Sequence, residues 1–158
     1  MGYTTEFSGQ VDITPPLNEQ EIEFLNKFSG TRRMDRKNGP YFVDGSEDFG
    51  QGHNGDIREY NRPPAGQPGL WCQWVPNEDG TALEWDGGEK FYDATEWMTY
   101  LIEHFLKPDA VAKSVLPFLQ GHTLNGEIDA EGEDSGDIWK LVVKKNKVSE
   151  KRSRVVYD

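Results

Sequence analysis

Cysteine, histidine and long apolar runs are scarce in this sequence of 158 residues. Its one cysteine, Cys72, has no partner for a disulfide within the chain, so we expect a reduced protein that needs no cross-link. No apolar stretch approaches the roughly 18 residues that suggest a transmembrane helix. The sequence therefore predicts a soluble, cytoplasmic protein with no membrane partner.

Standard catalytic motifs are also missing. The sequence has no nucleophile elbow, no phosphate-binding glycine loop, no dinucleotide-binding glycine pattern and no zinc-protease helix. The three histidines are widely separated and only one cysteine accompanies them, which is not a zinc-ligand pattern. We expect no metal and no cofactor, and we favour a non-enzymatic protein. His53, in a glycine-rich segment, is the one weak candidate for proton transfer, because an unperturbed imidazole titrates near neutral pH.

Acidic side chains outnumber basic ones by 28 to 17, for a formal net charge of -11. Residues 1–139 carry 10 basic and 26 acidic side chains, whereas residues 140–158 carry 7 and 2. Such an acidic body disfavours nucleic acid as a partner, since phosphate binding requires Lys and Arg. The basic strip predicts either an exposed strand edge and tail, or a docking surface for an acidic partner such as a second copy of the chain. Its members are Lys140, Lys144, Lys145, Lys147, Lys151, Arg152 and Arg154.

Hydrophobic periodicity predicts one α+β domain over residues 1–149 and a basic tail over 150–158. Asn18 with Glu21, and Asp93 with Glu96, have the spacing of a capping box at the start of a helix. The element order favours a mostly antiparallel sheet with two helices packed on one face. Strands are expected near 3–14, 70–75, 81–86, 122–131 and 137–148, helices over 18–29 and 93–106, and a short helix within 109–120.

Residues 30–69 are rich in Gly and Pro and show little periodicity, which predicts a long loop. A loop of this length inside a compact domain is often functional. It begins with a basic cluster that either complements the dipole of the first helix or clamps an anion such as phosphate. The cluster consists of Arg32, Arg33, Arg36 and Lys37, and its three arginines are the candidates for the clamp.

Four tryptophans lie within 27 residues, from Trp71 to Trp97. Either they fill the core, or some of them form a platform on which a planar ligand such as a base stacks. Trp71 and Trp74 are three residues apart, so a regular strand would point them to opposite faces. The alternative function is therefore a small-ligand pocket under the 30–69 loop, for a nucleotide or another anion, which could also support an enzyme. Its candidate residues are Arg32, Arg33, Arg36, His53, Trp71, Trp74, Trp85, Glu89 and Lys90.

The segments GQPGLWCQWVPNEDGTALEWDGGEKFYDATEWMTYLIEHFL (66–106) and GHTLNGEIDAEGEDSGDIWKLVV (121–143) resemble a group of small proteins from actinobacterial and bacteriophage genomes. The resemblance extends from Gly2 to about Val148. No activity is assigned to the group, so the resemblance implies a biological setting and no catalytic residue. We accordingly expect a phage-encoded, acidic protein that binds a host or defence macromolecule, with a homodimer as one form of association.

Overall fold

A computed structural model describes residues 3–43 and 56–152 of the chain. It contains a six-stranded antiparallel sheet, a separate two-stranded pair and two α-helices. The α+β class and the mostly antiparallel sheet are thus confirmed. The strands are β1 Thr5–Thr14, β2 Asp35–Arg36, β3 Ile57–Glu59, β4 Trp74–Pro76, β5 Ala82–Trp85, β6 Thr123–Gly132, β7 Ile138–Lys144 and β8 Lys147–Arg152, and the helices are α1 Glu19–Ser29 and α2 Ala94–Leu101. In the large sheet the strand order is β4-β5-β1-β6-β7-β8.

Helix α1 begins as its sequence predicts. The side chain of Asn18 accepts a hydrogen bond from the Glu21 N–H at 2.7 Å, and Glu21 accepts one from the Asn18 N–H at 3.0 Å. This capping box satisfies two N–H groups that the helix itself leaves without partners. Phe24, Leu25 and Phe28 then bury the apolar side of the helix.

Helix α2 begins differently from the prediction, and the capping box expected there is wrong. Asp93 precedes the helix with φ 59°, in the left-handed region, and its side chain forms no capping hydrogen bond. After α2, residues Ile102–Leu106 continue the helix as a single π-helical turn. A 3-10 helix over Val111–Ser114 occupies the segment where a short helix was expected.

The predicted strand 137–148 is in fact two strands, β7 and β8, joined by a tight turn. Lys145 and Asn146 form that turn with φ 47° and 69°, as the two central residues of a type I′ hairpin turn require. Strand β8 continues to Arg152, beyond the predicted boundary at residue 149. The predicted loop 30–69 likewise contains regular structure, since β2 and β3 pair within it.

The large sheet has one buried and one exposed face. On β1, Phe7, Val11 and Ile13 are buried, whereas Glu6 and Asp12 are exposed. Buried residues of the sheet and of the helices belong to one apolar cluster. In this cluster Phe7 contacts Trp74 within the sheet, and Phe24 with Phe105 and Phe28 with Trp97 form contacts between helical segments. The opposite face of the central strands presents mainly charged and polar side chains to solvent.

Among the described residues, no helix has both the length and the apolar character needed to cross a membrane.

Candidate functional site

The arginines at the start of the predicted loop hold neighbouring backbone. The guanidinium of Arg33 donates to the carbonyls of Phe42 and Pro40, and that of Arg32 donates to the carbonyl of Tyr60. Arg36 donates to the Arg32 carbonyl at 3.0 Å and lies over the ring of Phe42. These hydrogen bonds connect residues within the 31–43 segment, and they connect this segment to Tyr60, which follows β3.

Burial removes two of these arginines from solvent. Arg33 and Arg36 are 2% and 3% exposed. Burial, together with the neighbouring charge of Arg36, lowers the pKa of Arg33 to about 9. Arg33 also packs over the Phe28 ring, with its guanidinium carbon 4.2 Å from the ring centroid. Arg33 therefore fastens this segment to α1, and neither Arg33 nor Arg36 presents a guanidinium fork to solvent as the anion clamp requires.

Two of the three candidate tryptophans also belong to the core. Trp74 is 1% exposed, and its indole N–H donates to the Ala94 carbonyl at 2.8 Å, which connects β4 to the start of α2. Trp85 is half-buried, packs edge-on against Phe7 and donates to the Gln73 side chain at 3.2 Å. Trp74 therefore offers no free ring face for stacking.

Trp71, unlike Trp74, is partly exposed to solvent, and it lines a pocket. Its side chain is 38% exposed, and it borders a cavity of about 500 Å³ that also includes Glu89 and Lys90. This volume lies within the range of about 300–1,000 Å³ that is typical of small-molecule sites. The structure thus brings together Trp71, Glu89 and Lys90 from the predicted set. The remaining wall consists of Gly69, Leu70, Gln73, Tyr92 and Asp93.

The sequence predicted Asp93 at the start of a helix, and the place of Tyr92 and Asp93 in the pocket was missed. Tyr92 is 53% exposed, so the pocket has a second accessible aromatic ring. Lys90 and Asp93 both have positive φ, 57° and 59°. Non-glycine residues in this region are uncommon and cluster at functional sites. In the sequence, Gly87-Gly88 marks a turn shortly before these residues. This turn was the signal from which their exposure could have been predicted.

A buried hydrogen-bond donor lies behind the pocket wall. Trp97 is fully buried, and its indole N–H has no hydrogen-bond partner within the described part of the chain. A Cβ placed on Gly69 would lie 3.6 Å from this nitrogen and 3.8 Å from Asp93 Oδ2. Gly69 therefore packs close to both groups, and a Cβ at this position would contact them at ordinary van der Waals distances.

Two further titratable residues that the structure describes, His104 and Cys72, do not line this pocket. His53 lies outside the described residues. His104 stacks on Tyr100 at 3.9 Å between ring centroids and shares a hydrogen bond with the Tyr41 hydroxyl at 2.7 Å. Burial lowers the pKa of His104 and raises that of Cys72 to about 12. Cys72 is therefore a protonated core thiol with little nucleophilic character.

The exposed face of the large sheet has an acidic half and a basic half. On β1 and β6, Glu6 stands directly opposite Glu131. On β7 and β8, Lys140 stands opposite Lys151, and Lys144 opposite Lys147. Among the described residues, the ion pairs on this face are those of Lys140 with Glu127 and Asp129, at 3.4 and 3.6 Å, where the two halves join. The acidic half comprises Glu6, Asp12, Glu84, Glu127, Asp129 and Glu131, and the basic half comprises Lys140, Lys144, Lys147 and Lys151.

A second cavity of about 510 Å³ opens at the edge of the acidic half. Glu6, Glu131, Glu133 and Glu89 line it, so Glu89 borders both this cavity and the aromatic pocket. Glu6 and Glu131 form no ion pair with any residue that the structure describes. Within residues 3–43 and 56–152, no three metal-ligating side chains are grouped closely enough to hold a metal ion.

Comparison of the chain with protein-family models, curated proteins and solved structures gave no match.

Proposed function

We propose that this chain is a non-enzymatic, cytoplasmic binding protein that engages a macromolecule through the exposed face of its sheet. The observation that carries the proposal is the cross-strand pair Glu6 and Glu131, two carboxylates in direct register without a basic partner among the described residues. Like charges directly opposite on neighbouring strands destabilise a sheet. Their presence on an exposed face is accounted for if they meet a cationic surface outside the fold.

The charge pattern indicates the kind of partner. In this proposal both helices cover the apolar face of the sheet, which leaves the charged face open. The acidic half matches a basic protein surface, and complementary potentials favour fast and selective association. A second copy of the chain could supply such a surface from its own basic half. Following the sequence resemblance, we propose a phage-encoded chain whose partner is a host or defence protein.

The test reverses the charge of the Glu6 and Glu131 side chains. A tagged Glu6→Lys/Glu131→Lys variant and the wild-type protein are each expressed in the native host, and their bound proteins are quantified at 50 mM and 300 mM salt. We expect the wild type to retain a defined partner at low salt and the variant to lose it. The Debye length falls below about 8 Å across this range, so the wild-type complex weakens at the higher salt concentration.

The matched control is Glu23→Lys/Glu78→Lys, which changes the net charge equally at exposed positions on α1 and in the β4–β5 turn. This control should bind the partner as the wild type does. Equal loss in both double variants would attribute binding to net charge alone, and equal retention in both would remove the sheet face as the interface. Native mass spectrometry of the same samples distinguishes a second copy from a different protein.

A second candidate function is binding of a small planar ligand in the aromatic pocket. The observation that favours it is the convergence of Trp71, Glu89 and Lys90 with Tyr92 around one cavity. The anion clamp of the sequence-based alternative is not part of this candidate, because Arg32 and Arg33 are engaged with backbone carbonyls.

A further inference from the structure

The exposed face of the large sheet changes sign at the boundary between β6 and β7. The strand order β4-β5-β1-β6-β7-β8 places the acidic half, on β5, β1 and β6, on one side of this boundary and the basic half, on β7 and β8, on the other. The cross-strand register continues across the boundary. One row of facing residues consists of Ser8, Asp129, Lys140 and Lys151. Each half of the face therefore carries the charge that attracts the other half.

Two copies of this face can pack against each other with aligned strands about two different two-fold axes. An axis across the strands places the acidic half of one copy on the acidic half of the other, which is repulsive. An axis parallel to the strands, between β6 and β7, places β6 of each copy over β7 of the other and β1 over β8. Asp129 of one copy then lies over Lys140 of the other. Two-fold dimers, the commonest closed oligomers, require a self-complementary surface of this kind.

The boundary also carries apolar side chains of the face. Ile138 and Val142 of β7 point to the exposed side, because the alternate residues Trp139, Leu141 and Val143 are buried. Ile138 is 48% exposed, and Val142 is half-buried. A two-fold axis next to β7 brings these two side chains near the centre of the interface, where protein interfaces are most apolar. The face therefore offers an apolar contact in addition to complementary charge.

We infer that two copies of this chain associate face to face about a two-fold axis parallel to the strands, with the acidic half of each copy over the basic half of the other. This inference rests on the proposed function, because it uses the same face, and it names a second copy as the occupant of that face when no other partner is bound. A host or defence protein that binds the acidic half must displace the second copy. Dimerisation and capture of such a partner are therefore mutually exclusive.

Two triple variants test this arrangement in purified protein without any other partner. The face-basic variant reverses three carboxylates on β1 and β6, and it is Glu6→Lys/Asp12→Lys/Glu131→Lys. The face-acidic variant reverses three lysines on β7 and β8, and it is Lys144→Glu/Lys147→Glu/Lys151→Glu. All of these side chains are exposed, and none of them forms an ion pair with another described residue. The substitutions therefore break no described salt bridge within the chain.

Analytical ultracentrifugation over a concentration series measures the association. We expect the wild type to dimerise. In each triple variant the facing halves of two identical copies no longer attract, so the dissociation constant of the dimer should rise by about a hundredfold or more. An equimolar mixture of the two variants should form a heterodimer, because the facing halves then have opposite signs again. Recovery in the mixture also shows that both variants are folded.

Net charge alone predicts a different result. The face-basic variant has a net charge closer to zero than the wild-type value of -11, and lower net charge favours association. The matched control makes the same change in net charge at exposed positions outside the strands of the large sheet. It is Glu23→Lys/Glu78→Lys/Asp109→Lys. This control should dimerise at least as tightly as the wild type, and a loss equal to that of the face-basic variant would overturn the inference.

Three further results would overturn it. These are a wild type that stays monomeric up to millimolar concentration, triple variants that each still dimerise alone, and monomeric variants that stay monomeric when mixed. Capture of a host protein is measured separately, so the two proposals fail in different ways. A monomeric chain that captures a host protein would keep the proposed function without the dimer. A charge-dependent dimer that captures no other protein would keep the dimer and remove the host partner.

Discussion

His122 and Glu21 form a hydrogen-bonded pair in the core, and both side chains are fully buried. The imidazole Nε2 lies 2.7 Å from Glu21 Oε2, and Nδ1 lies 2.6 Å from the Pro15 carbonyl. Both ring nitrogens therefore face acceptors, which favours the doubly protonated imidazolium. Burial alone lowers the pKa of His122, but the hydrogen bonds to Glu21 and Pro15 outweigh it and raise the pKa above 6.5. Burial raises the pKa of Glu21, but hydrogen bonds from His122, Asn18 and Gln120 outweigh it and lower the pKa.

We predict that His122→Gln destabilises the protein most at pH 5–6. The raised pKa of His122 means that its contribution is fully present below its unfolded pKa, near 6.5, and is lost as the pH rises through the folded value. Glu21 acts oppositely, because its lowered pKa stabilises the fold above 4.5, and this contribution is lost as the pH falls through the folded value. Urea unfolding from pH 5 to 9 should show a difference of about 3 kcal/mol at pH 6 that shrinks above pH 7. A difference that is constant over this range would indicate a neutral imidazole.

Sequence reasoning identified Glu21 only as a capping residue. The local spacing of Asn18 and Glu21 encodes the capping box, because both partners lie on one helical turn. The contact with His122 joins residues 101 positions apart, and neither periodicity nor spacing encodes such a contact. The same limit applies to the pocket. The sequence predicted Trp71, Glu89 and Lys90 as candidates, but it could not show which of the three candidate tryptophans would line a pocket with Glu89 and Lys90.

The central strands β1 and β6 approach each other too closely for a side chain at Gly126. A Cβ there would lie 2.6 Å from Gln10 O and 2.8 Å from Val11 Cα. We predict that Gly126→Ala destabilises the protein by about 3 kcal/mol in urea unfolding, through overpacking against backbone that does not yield easily. Replacing a strand glycine by alanine ordinarily stabilises by about 0.5–1 kcal/mol, so the sign of the change is decisive. A stabilised Gly126→Ala, with Gly30→Ala near neutral, would contradict the close approach.

The elements that the sequence predicted best are those with local signals. Alternation predicted β1, and the capping box predicted the start of α1. The start of α2 was predicted with a capping box that does not form, because Asp93 adopts a left-handed conformation at the edge of the pocket. The hairpin turn between β7 and β8 was missed because Lys145-Asn146 lacks the glycine that usually marks a type I′ turn.

At the scale of the whole molecule, acidic and basic side chains occupy separate halves of the exposed face of the large sheet. A sheet optimised for stability would instead place opposite charges next to each other. The acidic half places Glu6 directly opposite Glu131, and the basic half places Lys140 opposite Lys151 and Lys144 opposite Lys147. A single substitution in either half would replace a repulsive cross-strand pair with an attractive one. The chain therefore retains unfavourable pairs on the very surface that the proposed function assigns to a partner, which is the pattern of a trade-off between stability and binding.

Glu131→Lys tests this trade-off, because it should raise stability and weaken partner binding at the same time. The new lysine faces Glu6, and an attractive pair in place of a repulsive one is worth about 0.5 kcal/mol, or about 2 °C in Tm. Calorimetry at 20 mM salt should show this rise, and 300 mM salt should remove most of it by screening. Glu78→Lys makes the same change in net charge in the β4–β5 turn and should leave Tm nearly unchanged. An equal rise in both variants would assign the effect to the net charge of -11, and a fall in Glu131→Lys would show that this carboxylate stabilises the sheet.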